Sequence, residues 1–148
     1  MTATPGQPIP DMQDLLAGVG RALLFWGHLE AVMEETLPLE DRGALRRHGG
    51  SATTTSLWRS TLEARPDADS LRHRALLDAL DTVSGQRNLL AHGLWSAWAD
   101  PTGVEPARVR CRDRSGELQD LTLADLIALA EQIEALTREI RQVDLRAA

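Results

Sequence analysis

The sequence predicts an all-α fold, an antiparallel helical bundle with a small β-hairpin before the last helix. Three observations carry that reading. Apolar residues recur at alternating steps of three and four over three long stretches, as helices with one buried face require. One short stretch, "RVRCR", alternates instead, as a half-buried strand does. Hydrophobic residues make up 43% of the 148 positions, enough for one core of ordinary domain size. Residues 1–10 are expected to be a flexible tail and 11–148 a single bundle domain. No internal repeat is present.

The first helix is expected from Asp11 to Leu37, where Leu16, Val19, Leu23, Trp26, Glu30, Met33 and Leu37 follow the helical period, and Pro38 ends it. The following "DRGALRRHGGSATTTS" is rich in Gly, Ser and Thr and reads as a mobile loop. A short helix is expected around 56–64, stopped before Pro66. The second long helix starts at Ser70 as N-cap. Its stripe is Leu76, Leu80, Val83, Arg87, Leu90 and Leu94, and it is expected to run to about Trp98, before the turn signal "DPTG". In the hairpin, Val109 and Cys111 face one side and Arg108, Arg110 and Arg112 the other, with Ser115-Gly116 as the turn. Thr122 caps the last helix, with Asp125 three residues on as a capping box. Leu126, Leu129, Ile133, Leu136, Ile140 and Val143 form its stripe.

Composition excludes several classes. The formal net charge is −6, which rules out a globally basic nucleic-acid binder but leaves room for a local basic patch. The 16 Lys+Arg residues are all arginine, so no lysine nucleophile or Schiff base is available. With one Phe and no Tyr, the core must be aliphatic with four Trp as its large pieces. Cys111 is the lone cysteine and cannot form an intrachain disulfide, which suits the cytosol. The start, "MTATPGQPIP", lacks the basic and apolar regions of a signal peptide. No apolar run is expected to approach the ~20 residues that span a bilayer. A cytoplasmic protein with no membrane partner is the expectation. His28, His48 and His73 do not combine with Cys111 at a metal-ligand spacing, and no phosphate-binding or dinucleotide-binding loop is present, so no metal or cofactor is expected.

The informative stretch is "RNLLAHGLWSAW", residues 87–98. Asn88 and His92 are four apart and share a helix face, so the amide can orient the imidazole. Arg87 and His92 are five apart and point roughly 140° away from each other at ~100° per residue. A site using both must wrap a helix edge or draw on a second chain. The strip of Ser84, Asn88, Ala91 and Trp95 is small and polar apart from the tryptophan, which fits a cleft floor or a symmetric dimer contact. Arg87 and Glu30 each replace an apolar stripe residue, one on each of two long helices. The pattern suggests that they pair at the edge of the core. In a purely structural reading, Arg87 fixes helix register, His92 is a satisfied histidine under a loop and Asn88 a helix-surface amide.

"RNLLAHG" resembles the R-x4-6-H motif of the HEPN-domain superfamily of small helical bundles. Asn88 fits the polar residue favoured after the arginine, Gly93 and Trp95 resemble "RN…AHGxW" members, and Leu29-Glu30 resembles the first helix. The resemblance implies a HEPN-type bundle and a metal-independent endoribonuclease, a toxin or defence effector, acting as a homodimer whose two motifs share one cleft. It implies that His92 is the general acid–base on the ribose 2′-OH or the leaving oxygen and that Arg87 stabilises charge on the scissile phosphate. Asn88 and Glu30 would orient the site, and the product would carry a 2′,3′-cyclic phosphate. RNA is then the substrate and an antitoxin protein a natural partner. Leu94 stands where many toxins of this type carry a tyrosine that is AMPylated, so that control is excluded. The competing reading is a non-catalytic HEPN-like module that binds a partner protein or a nucleotide.

Trp95 can stack on a base, fill a dimer interface or pack in the core. Arg108, Arg110, Arg112 and Arg114 form the densest basic run, which can track an RNA backbone or simply solvate an edge strand. Trp26, Trp58 and Trp98 are expected to pack.

Overall fold

A computed structural model of the protein describes residues 9–48, 51–67 and 70–146. Most of the flexible-tail expectation, residues 1–8, lies outside them. The element order is α1 (Met12–Thr36), α2 (Leu39–His48), α3 (Ser51–Glu63), α4 (Leu71–Gly93), β1 (Leu94–Trp98), β2 (Arg108–Arg112), β3 (Leu118–Thr122) and α5 (Leu123–Arg141). The described chain is thus mostly helical, with one small antiparallel sheet, in the order β1-β2-β3, before the last helix.

Each long helix starts on a satisfied cap. Asp11 and Thr122 form capping boxes with Asp14 and Asp125, and the Ser70 hydroxyl accepts from the His73 amide. These side chains take orphan amides of the first turn, each worth about 1 kcal/mol. The α5 stripe is buried as expected, from Leu126 through Ile140 to Val143.

Trp26, Met33 and Leu37 of the expected α1 stripe are buried, but its first half is shifted by about one position. Leu15 is buried and Leu16 is 57% exposed. The seam runs through Gly18 and Ala22, which sequence reading passed over in favour of large residues. A Cβ at Gly18 would lie 2.9 Å from Leu123 Cδ1, so the missing side chain lets α5 approach closely. Gly18 meets the start of α5, and the Thr36 carbonyl accepts from the Leu145 amide just past its end, so α1 and α5 run parallel. Arg72 reaches Gln142 and Glu139, so α4 runs antiparallel to α5. By length and composition α1 is also apolar enough to cross a bilayer, contrary to the sequence expectation. Here it is the central core helix, with Trp26, Leu29, Val32 and Met33 buried.

Two elements correct the expectations. The loop expected after Pro38 is helical on both sides of residues 49–50. The Pro38 carbonyl accepts from the Asp41 and Arg42 amides, and Arg42 donates to the Leu37 and Glu35 carbonyls. Leu45, Thr54, Trp58 and Leu62 are buried, so tertiary burial overrides a composition that disfavours helix. The helix expected to reach Trp98 ends at Gly93, and "LWSAW" is β1, which turns the hairpin into a three-stranded sheet. Ser96, Ala97 and Trp98 pair with Arg110, Val109 and Arg108, with a bulge between Leu94 and Ser96. Leu94, a stripe residue by the helical period, is therefore 49% exposed, and Trp98, expected to pack, is 40% exposed.

Candidate functional site

The C-terminal end of α4 runs directly into β1, and β2 crosses over the junction. Gly93 permits the crossing, since a Cβ there would lie 2.3 Å from the Arg112 carbonyl oxygen. That oxygen is backbone and cannot swing aside. Gly93→Ala is therefore expected to destabilise the protein by about 1–3 kcal/mol, as overpacking typically does, and to displace the Arg112 end of β2. Thermal denaturation checks this, and a variant as stable as wild type would show that the crossing is looser.

An open cleft of about 730 Å³ lies at this junction. Asn88, Leu89 and His92 of α4 form one side, Trp95 of β1 another, and Arg112, Asp113 and Arg114 close it. The structure thus brings together four predicted residues, Asn88, His92, Trp95 and Arg112. Trp95 is 55% exposed and is not a core residue. The Arg112 guanidinium carbon stacks 3.8 Å from its ring centroid. Asp113 and Arg114 join the cleft without a spacing that marks them as site residues; the only sequence signal for Arg114 is its place in the arginine run.

Arg87 does not line the cleft. It is half-buried, with its guanidinium carbon 5.6 Å from the Trp26 ring centroid, and it donates from Nη1 to Asn88 Oδ1 at 3.1 Å. Its Nε is buried without a hydrogen-bond partner. The arginine is thus connected to the cleft through Asn88, around the edge of α4. Glu30 lies one helical turn beyond Trp26 on α1, half-buried.

Arg108 and Arg110 lie farther along the sheet. Arg108 stacks on Trp98 at 4.7 Å. Arg110 grips Asp120 with Nε and Nη2, at 2.8 and 3.1 Å. That grip holds the Asp120 carboxyl below the usual carboxylate range.

Two cleft neighbours are unsuited to proton transfer or attack. The Asp113 carboxylate accepts from the Ser115 hydroxyl and from the Ser115 and Glu117 amides, which hold it in its charged form as the cap of the β2–β3 turn. Cys111 is fully buried, and burial pushes its thiol up, away from the reactive thiolate. His92 is exposed and open to the cleft. Among the described residues no group of three or more His, Cys, Asp or Glu side chains is placed to hold a metal ion.

Comparison with protein-family models, with curated proteins and with solved structures finds no match to this chain.

Proposed function

We propose that this chain is a metal-independent endoribonuclease of HEPN type that works as a homodimer with a shared cleft. The observation that carries the reading is the cleft at the end of α4. It exposes His92 beside Asn88, Trp95 and Arg112, and Arg87 is hydrogen-bonded to Asn88 from around the helix edge. His92 acts on the ribose 2′-OH or the leaving oxygen as general acid–base. A guanidinium stabilises the phosphorane-like charge. Arg87 stands outside the cleft of its own protomer, so the complete site draws on the seam between two chains. The exposed Ala91 and Leu94 supply the apolar part of that seam. Cytoplasmic action and neutralisation by an antitoxin protein belong to the same reading.

The purified chain is expected to sediment as a dimer at micromolar concentration. It should cleave single-stranded RNA in the presence of EDTA and leave 2′,3′-cyclic phosphate ends. Intact RNA after long incubation, or dependence on an added divalent ion, would sink the assignment.

Within this reading Glu30 holds Arg87 against Trp26. Glu30→Gln is expected to cost about 1–3 kcal/mol, between the values for exposed and fully buried pairs. A double-mutant cycle with Arg87→Gln measures the coupling; a coupling near zero would separate the two residues.

One observation favours the second reading, a non-catalytic module that binds a partner protein or nucleotide. Arg87 packs on Trp26, where a purely register-fixing arginine would also sit.

A further inference from the structure

The outer face of the sheet continues from the cleft and carries a distinct chemistry. The charged residues of the three strands are Arg108, Arg110, Arg112 and Asp120. That is three guanidiniums to one carboxylate, in a chain of formal net charge −6. The inner side is marked by Val109 and Cys111, both buried. Two exposed tryptophans each lie under an arginine, Trp98 under Arg108 and Trp95 under Arg112. Between the two stacks, Asp120 engages Nε and Nη2 of Arg110 and lies 3.6 Å from Arg108 Nε. A hollow lined by Ser96, Trp98, Arg108, Arg110 and Asp120 marks the far end of this face. Trp95 and Arg112 belong both to the sheet and to the His92 cleft, so the face leads into the cleft.

We propose that this face is a platform for single-stranded nucleic acid, which it feeds toward His92. Bases stack on Trp98 and Trp95, and the phosphates pass Arg108 and Arg112. Stacking suits an unpaired strand, because every base has a π-face that a duplex hides. Residues 95 and 98 are about 10 Å apart along a strand at ~3.3 Å per residue, close to three base steps of ~3.4 Å. The guanidiniums hold the indole rings in place and add charge where a phosphate would pass. Asp120 fills the fork of Arg110 that would otherwise take a phosphate, so it limits affinity. The delivery of the strand to His92 rests on the nuclease reading; the binding does not.

The test is fluorescence anisotropy with the full chain and two labelled probes. One is a short oligothymidylate, which lacks the 2′-OH and cannot be cleaved. The other is an oligouridylate, used with the His92→Ala chain. Both are expected to bind, and a blunt RNA duplex of the same length to bind at least ~10-fold more weakly. Trp98→Ala is expected to lose about 10-fold in affinity, while Trp98→Phe keeps most of it and controls for folding. Asp120→Asn is expected to tighten binding and to steepen the salt dependence by about one phosphate contact. Equal binding by wild type, Trp98→Ala and Trp98→Phe would overturn the platform, as would equal binding of the duplex or no binding of either probe. So would a Trp98→Ala chain that turns monomeric with unchanged affinity, which would assign the face to a second copy. If the probes bind but RNA stays intact with wild type, the nuclease reading falls and the platform stands. RNA cleavage with no loss of affinity in Trp98→Ala does the reverse.

Discussion

His92→Ala is expected to abolish RNA cleavage while leaving the fold intact. General acid–base groups contribute about 10²–10⁴ in rate, so the variant should fall to near background. The side chain is exposed at the open cleft, and no part of the core rests on it. Exposed substitutions away from special features usually stay within about 0.5 kcal/mol, so the melting temperature should hardly move. The two readouts must be taken together, on the same preparation. Lost cleavage with an unchanged melting curve assigns the imidazole a chemical role. An equally active variant would remove His92 from the mechanism, and with it the nuclease reading. Lost cleavage together with a large drop in stability would make the histidine structural.

The largest stability effect is expected at Trp58. It is fully buried, and its indole Nε1 donates to Thr36 Oγ1 at 2.8 Å, while that hydroxyl donates to the Met33 carbonyl. The residue thus pins α3 to the end of α1 by packing and by a buried hydrogen-bond chain. Trp58→Ala leaves a cavity of indole size and should cost about 3–5 kcal/mol. Trp58→Phe keeps most of the volume but strips Thr36 of a donor, so it should cost less, about 1–3 kcal/mol. Chemical denaturation measures both. A cost below about 1 kcal/mol for Trp58→Ala would mean that α3 is not firmly docked.

The same two regions show why parts of the fold were legible and parts were not. The caps at Asp11, Ser70 and Thr122, the α5 stripe and the β2–β3 hairpin were readable because each is fixed by neighbours within a few residues. An N-cap hydroxyl serves an amide three positions on, and alternation along a strand is visible in five residues. The helix around 56–64 was readable, but the segment from Leu39 to Thr55 was not, because its Gly, Ser and Thr disfavour helix and it is held by burying Leu45 and Thr54. The phase of the first half of α1 is not legible, because the seam there is built on Gly18 and Ala22, whose importance appears only when α5 lies across them.

The candidate site divides in the same way. Residue spacing alone makes Arg87 and His92 diverge on one helix, puts Asn88 and His92 on one face, and sets the hairpin arginines opposite Val109 and Cys111. Those are consequences of helical and strand periods. That α4 stops at Gly93 and that "LWSAW" pairs with β2 follows from contacts distant in the chain. The apolar pattern of that segment serves helix and strand equally, and the choice is made by backbone hydrogen bonds to a strand ten or more residues away. That pairing turns Trp95 and Trp98 outward under Arg112 and Arg108. It opens the cleft beside His92 and leaves Arg87 on the other side of the helix against Trp26.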